Sequence, residues 1–513
     1  MGATTMSMSP DRFVRAVHWT VTISTATTLV QLGITPIVAR LLGPFDFGLF
    51  ALANVAVIFA SHITGTGLAD AIIREPNLDR ETIGSAILLS WLLSIGSALL
   101  TIALAPLAGI GSPIGEKETL NGLIRAMSLA ILISGITVPA QALLRREFRF
   151  RELAMLQFAG AVLGSGATTI VLASLHFGPW SLVFGSIINV AIIGGGCWWM
   201  LRQRWCIAWL SDHVLRIFFF SLKMTLVRLL DATWIQLPLV VAQAKLSPFA
   251  VGLYQRGQAL VSMGIDSTSG RVTLVLYPAL ASKQNRTDLL RELIPLFIGL
   301  YAIFLFSVTV FVAFTASDIV AILLGPRWHD AAAPLVLIML AYSVLIISQP
   351  ASIQLEAFAM FGPRILGAGL GAVSVALLSL LFVGKYGLLG IAAAALISGL
   401  STAVVNVITI ARHLEIAPHK LTQWMTPGLG IAGLLAITLA ICQWYISQLL
   451  HSPAARLATM AFIAAVVFTS GFRVLLGKAR RQTISHYLSP DMPQSTIAVA
   501  RIFGLIPEKC NVP

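Results

Sequence analysis

The chain has 513 residues, 57% of them hydrophobic and 11% charged, with a mean hydropathy of +0.88. Soluble domains carry about a quarter charged residues, so a water-solvated fold is excluded and lipid must be the main solvent. The net charge of +13 arises from 34 Lys and Arg against 21 Asp and Glu; these bases stand in short segments between apolar runs, where topology signals belong, which argues against a nucleic-acid partner.

The amino-terminal stretch MGATTMSMSPDRFVRAV has no compact apolar run ending in a small-residue cleavage site, so the first helix is expected to stay in the protein. Apolar runs broken at charge clusters and Gly/Pro turns predict fourteen spans. They cover 15–39, 47–71, 83–107, 121–143, 153–175, 180–201, 217–243, 249–280, 293–314, 331–358, 362–384, 386–411, 424–448 and 455–476. The predicted fold class is therefore an all-α polytopic membrane protein of about 14 transmembrane helices. An even count puts both termini on one side. With the amino terminus inside, 23 of the 34 Lys and Arg fall in inside segments, 6 outside and 5 within spans. One missed helix would swap the side of every later segment, so this bias supports the count and predicts both termini to be cytoplasmic.

No outside segment exceeds about 20 residues, which leaves little room for an extracytoplasmic domain. The segment from Arg202 to Phe220 mixes Trp and Arg and suits an interfacial linker. Cys197, Cys206, Cys442 and Cys510 have no metal-ligand spacing and receive no role.

Two passages about 205 residues apart repeat each other: Ala39-Arg-Leu-Leu-Gly-Pro-Phe-Asp-Phe-Gly-Leu-Phe50 and, with one gap, Ala244-Lys-Leu-Ser-Pro-Phe-Ala-Val-Gly-Leu-Tyr254. A second pair, Phe177-Gly-Pro-Trp-Ser-Leu-Val-Phe-Gly185 and Tyr386-Gly-Leu-Leu-Gly390, keeps nearly the same offset. Six spans thus repeat as a unit. Because six is even, the two copies share an orientation and are expected to be related by an axis along the membrane normal, one of the arrangements that yields alternating access. The expected organisation is a six-helix lobe over 1–201, a linker over 202–216, a second six-helix lobe over 217–411, an added helix pair over 424–476 and a cytoplasmic tail over 477–513.

The Ala39–Phe50 motif and the following Gly65-Thr-Gly-Leu-Ala-Asp-Ala-Ile-Ile-Arg74 resemble the polysaccharide transporter family of flippases, relatives of the multidrug and toxin extrusion transporters. The resemblance extends to Gly252–Tyr254 and to Leu323-Leu-Gly-Pro-Arg-Trp328. It implies export, across the bacterial inner membrane, of an oligosaccharide carried on undecaprenyl diphosphate, for exopolysaccharide, O-antigen or capsule. The implied partners are that glycolipid, membrane lipids, and the polymerase and chain-length or export proteins of the same route. No cofactor is implied; a proton or sodium gradient drives some relatives. Such a cargo needs a protein because each polar group stripped of water in hydrocarbon costs several kcal/mol.

Ionisable groups inside spans are costly and mark function by default. Span seven carries Lys223, Arg228 and Asp231, with Gln236 beyond. Arg228 lies roughly 16 Å from the inner end, near the midplane, and is the first choice for the diphosphate; the plainer alternative is an i,i+3 pair with Asp231. Span eight carries Arg256, Asp266 and Arg271 in a stretch too polar to face lipid. In the family a basic residue often follows Tyr-x-x-Ala-x; here that slot is Ala259, and Arg256 stands three residues earlier on the same helix face. Arg74, at the inner end of span two, is placed to meet the cargo on arrival, or simply sets topology. Asp231, Asp266, Asp70 and Glu356 are the candidates for coupling or gating. His18, Gln31, Asn54 and His62 add polar groups to spans one and two, and the two histidines read as hydrogen-bonded packing residues rather than proton carriers.

Two rival functions are weighed against this. A cation-coupled drug extruder wants a carboxylate-dominated midplane, and none is present. A membrane glycan polymerase or ligase wants a sizeable outer loop, and the longest outer segment, around Ser317 to Ala331, is short. No phosphate loop, zinc spacing or serine–histidine constellation suggests an enzyme.

Overall fold

A computed structural model describes residues 10–74, 79–107, 114–147, 149–202, 208–209, 212–266 and 287–476. Every regular element among the described residues is helical, as hydrocarbon requires of a chain whose backbone groups must be satisfied internally. In chain order these are α1 (Pro10–Leu41), α2 (Pro44–Arg74), α3 (Arg80–Leu104), α4 (Ile114–Arg146), α5 (Phe150–Ser174), α6 (Pro179–Met200), α7 (Asp212–Lys245) and α8 (Pro248–Asp266). They continue with α9 (Thr287–Leu323), α10 (Pro326–Ala357), α11 (Phe361–His413), α12 (Pro418–Leu449) and α13 (Pro453–Leu475).

Among the described residues, twelve helices are long and apolar enough to cross a membrane. Two features explain the difference from the predicted fourteen. The 53-residue α11 is two helices joined at Gly387; at about 1.5 Å per residue it is far longer than one crossing needs. It folds back on itself, since the Thr402 hydroxyl donates to the Gly367 carbonyl at 3.1 Å from the other arm. The other feature is α8, the predicted eighth span, which lies outside the twelve; its expected continuation to residue 280 falls outside the described residues, as do Arg271 and the tail 477–513.

The repeat read from the sequence has a backbone counterpart. Gly178, before α6, has φ 55° and ψ −134°, and Gly387, inside α11, has φ 56° and ψ −134°. L-residues are sterically barred from this region, which is why glycine stands at both positions. Helix ends are marked as elementary rules dictate: Pro179, Pro418 and Pro453 occupy first turns, where a missing N–H costs nothing. The Asp79 carboxylate accepts the Thr82 amide at 2.8 Å to cap α3.

The chain divides into two compact units. One comprises residues 1–271, 323–331 and 368–395; the other comprises 272–322, 332–367 and 396–513. In the first unit α2 is the central element, packed on α4, α7 and α8. Lipid provides no hydrophobic drive between helices, so close approach through small residues does the work. Thus Gly135 on α4 meets Ser94 on α3, and Gly164 on α5 meets the Asn189 backbone on α6. In the second unit α12 and α13 pair with each other, and Gly428 of α12 lies against the backbone of Ala302 and Ile303 on α9.

Candidate functional site

Helices α2, α7 and α8 bring together most of the ionisable groups that lie inside apolar packing in the first unit. His62 on α2 is within electrostatic reach of both Arg228 and Asp231 on α7. Arg228 and Asp231 are half-buried, and Lys223 is exposed. Arg228 stands close to the middle of the 34-residue α7, roughly 25 Å from either end. His62, read from sequence as a packing group, thus belongs to the same polar cluster as the first-choice arginine. Gln236, two turns further along α7, is buried, and the neighbouring Ile235 carbonyl accepts a hydrogen bond from Gln258 of α8 at 3.1 Å.

Arg256 lies two turns into α8. Its guanidinium carbon sits 3.8 Å from the centroid of the Phe47 ring on α2. Its buried Nε has no hydrogen-bond partner. The cation is therefore held by the ring quadrupole, a contact worth about 2 kcal/mol when desolvated. The Phe47 ring also meets Trp328, at 5.3 Å between centroids and 68° between planes. Phe47 and Trp328 are both fully buried. The Trp328 indole N–H donates to the Ala39 carbonyl at 3.0 Å, so the first turn of α10 is tied to the end of α1.

Beside this cluster the two motif copies touch. A Cβ on Gly48 would overlap the Pro248 carbonyl and come within 3.1 Å of the Gly252 amide; a Cβ on Gly252 would overlap the Pro44 carbonyl and come within 3.1 Å of the Gly48 amide. The contact is thus locally two-fold, and it uses the Pro and Gly that align between the copies. Asp46 fixes the approach by accepting the Gly43 amide at 3.1 Å.

Of the remaining candidates, Asp70 and Arg74 lie on the last two turns of α2 and Asp266 ends α8. Glu356 belongs to the second unit, where its carboxylate meets Arg364 at 3.3 Å with both side chains at most 6% exposed. Nearby, Asn406 donates to the Ser352 hydroxyl at 3.0 Å, while Gln354 is fully buried with neither side-chain polar atom hydrogen-bonded. Gln354, like Glu356, is expected from its place near the inner end of span ten to serve coupling or gate pairing, or simply to end the helix; sequence reasoning missed Phe47 and Trp328. The two aromatic residues stood inside the recognised motifs, but nothing in the spacing said that they would share a ring contact with Arg256. A cavity of about 210 Å³ between α9, α12 and α13 is lined by Phe304, Phe311, Leu435, Ala464 and Phe468. Its one hydroxyl, Ser307, is turned onto the Ile303 carbonyl at 2.7 Å, so the lining is effectively apolar.

Residues 37–333 match the sequence profile of a family described as polysaccharide biosynthesis protein. Among curated proteins, the succinoglycan biosynthesis transport protein ExoT of Rhizobium meliloti (strain 1021) is 27% identical over 382 residues, covering 72% of each chain. The lipopolysaccharide biosynthesis protein WzxC of Escherichia coli (strain K12) is 22% identical over 309 residues, covering 57% of this chain and 59% of its own. Among solved structures, the lipid II flippase MurJ in an inward closed conformation superposes with a TM-score of 0.66 at 13% identity, covering 89% of this chain and 98% of that one. An inward-facing multidrug resistance MATE family transporter gives 0.60 at 17% identity, covering 78% and 98%. These likenesses establish the fold, that of a multi-pass membrane protein.

Proposed function

Because the chain belongs to the polysaccharide biosynthesis protein family, we propose that it is a flippase, and not an enzyme, which carries undecaprenyl-diphosphate-linked oligosaccharide from the inner to the outer leaflet of the bacterial inner membrane. The observation that carries this reading is the cationic interior of α7 and α8: Arg228 at mid-helix with His62 and Asp231, and Arg256 held on a ring rather than by a carboxylate. A diphosphate entering hydrocarbon loses hydration, and guanidinium groups restore it with charge-assisted, bidentate hydrogen bonds.

Arg228 and Arg256 bind the diphosphate, Arg74, Arg271 and Lys223 draw it from the inner surface, and Gln236 meets sugar hydroxyls. Asp231, Asp266, Asp70 and Glu356 serve coupling or gating as the two six-helix lobes alternate access. An ion gradient, of protons or sodium, supplies the bias. The apolar cavity between α9, α12 and α13 suits a stretch of the isoprenoid chain. Both termini lie in the cytoplasm, and the delivered repeat unit is used by the polymerase and export proteins of the same route.

The test is reconstitution of the purified protein in liposomes with a labelled lipid-diphosphate oligosaccharide whose outer-leaflet fraction is read by an impermeant glycosidase. Transfer between leaflets is expected to accelerate over protein-free vesicles. Absence of transfer, with uptake or extrusion of a small organic cation instead, overturns the reading in favour of a drug extruder.

A further inference from the structure

Phe47 occupies a junction that the transport reading does not use. It precedes Gly48, whose missing side chain lets α2 touch the backbone of α8. Its ring receives Arg256, which stands one helical turn beyond Gly252 on the opposing face of that contact, and it also meets Trp328, whose indole is anchored on Ala39. Three segments thus converge on one side chain: residues 39–50, 244–256 and 323–328. Charge bias assigns all three to the outer side of the membrane.

We propose that Phe47 is a positioning residue that couples anion binding at Arg256 to release of the α2–α8 glycine contact; this rests on the assignment of Arg256 to the diphosphate given above. With no anion present, the guanidinium rests on the ring, and the ring is pressed between Arg256 and Trp328. That arrangement holds the glycine contact shut. A diphosphate offers oxygens matched to the guanidinium fork, a stronger partner than a ring quadrupole, and the buried Nε has no acceptor to lose. Drawing Arg256 to the anion strips one side of the Phe47 ring, loosens its Trp328 contact and frees the backbone crossing beside it. An empty carrier therefore stays closed on this side, and the cargo's own charge unlocks it. The second motif copy has Val251 where the first has Phe47, so the latch is built once and on one helix.

The test follows hydrogen–deuterium exchange at 39–50, 244–256 and 323–328 in the full-length protein in lipid nanodiscs, with and without farnesyl diphosphate as the probe. Phe47→Leu, without probe, is expected to raise exchange about tenfold in all three segments together, as one cooperative opening does, whereas Phe47→Tyr keeps them protected. The probe is expected to raise exchange in the unaltered protein and to add nothing in Phe47→Leu. If Phe47→Leu is not recovered folded, Arg256→Gln, which leaves the ring in place, is expected to open the same three segments. Unchanged protection in these variants, or a rise confined to α2, overturns the latch. Probe binding, read by thermal shift, without any change in exchange also overturns it but leaves the diphosphate assignment standing. A probe that does not bind at all removes that assignment and the coupling with it, while the exchange of Phe47→Leu still reports whether the ring holds the contact.

Discussion

Two arginines set among apolar helices in this protein, the buried Arg364 and the half-buried Arg256, are treated differently. Arg364, at the start of α11, meets the carboxylate of Glu356 at 3.3 Å, both side chains almost completely removed from solvent. Arg256, on α8, has a phenyl ring where a carboxylate could stand. A buried cation that is neutralised by its own chain holds helices in register and attracts nothing further. A cation resting on a ring keeps an open demand for an anion. Buried charge alone therefore does not identify a binding residue in such a bundle; what identifies it is the chemistry of the partner supplied by the fold.

The contrast is broken most severely on the paired side. Glu356→Ala strands Arg364 and is expected to cost about 3–5 kcal/mol, read as a lowered unfolding temperature in detergent. The double substitution Glu356→Leu with Arg364→Leu should recover most of that stability, and failure to recover it would mean the pair holds the fold by more than mutual neutralisation. On the binding side, Arg228→Glu is expected to reduce leaflet transfer by about 100-fold, near 2.7 kcal/mol, with normal insertion and yield. Normal transfer in that variant would remove Arg228 from the mechanism. Arg256→Lys should leave stability within about 0.5 kcal/mol while weakening diphosphate binding about tenfold, because an ammonium cannot present two parallel donors; binding titration checks it. The smallest effect is expected at Asp318→Asn, which breaks the contact with Arg456 at 2.5 Å between α9 and α13. The Arg456 side chain is about one-third exposed, so the loss should stay within about 1 kcal/mol and leave transport untouched.

Helix positions were legible in the sequence because hydrocarbon imposes a length and a composition that few other environments do. The break expected between 384 and 386 falls at Gly387, where α11 turns back on itself, and the helix expected from 249 forms as α8, although its Gln, Arg and Ser leave it too polar to count as a crossing by hydropathy. The site was legible in its charges but not in its partners. Arg228 and Asp231 could be placed on one helix by counting, and the motif copies could be aligned by their Pro and Gly residues. The backbone contact between Gly48 and Gly252, the ring beneath Arg256 and the proximity of His62 to Arg228 depend on how helices distant in sequence pack, which periodicity along one helix does not encode.

The single non-helical residue of α11 has one more implication. Gly387 is all that separates the helix descending from Phe361 from the one ending at His413, so this hairpin has no spare chain at its tip. A tilt imposed on one arm is handed to the other without lag, as by a stiff tongs. Lengthening the tip with a few flexible residues would turn that rigid transmission into play, leaving each arm intact but no longer obliged to follow its twin.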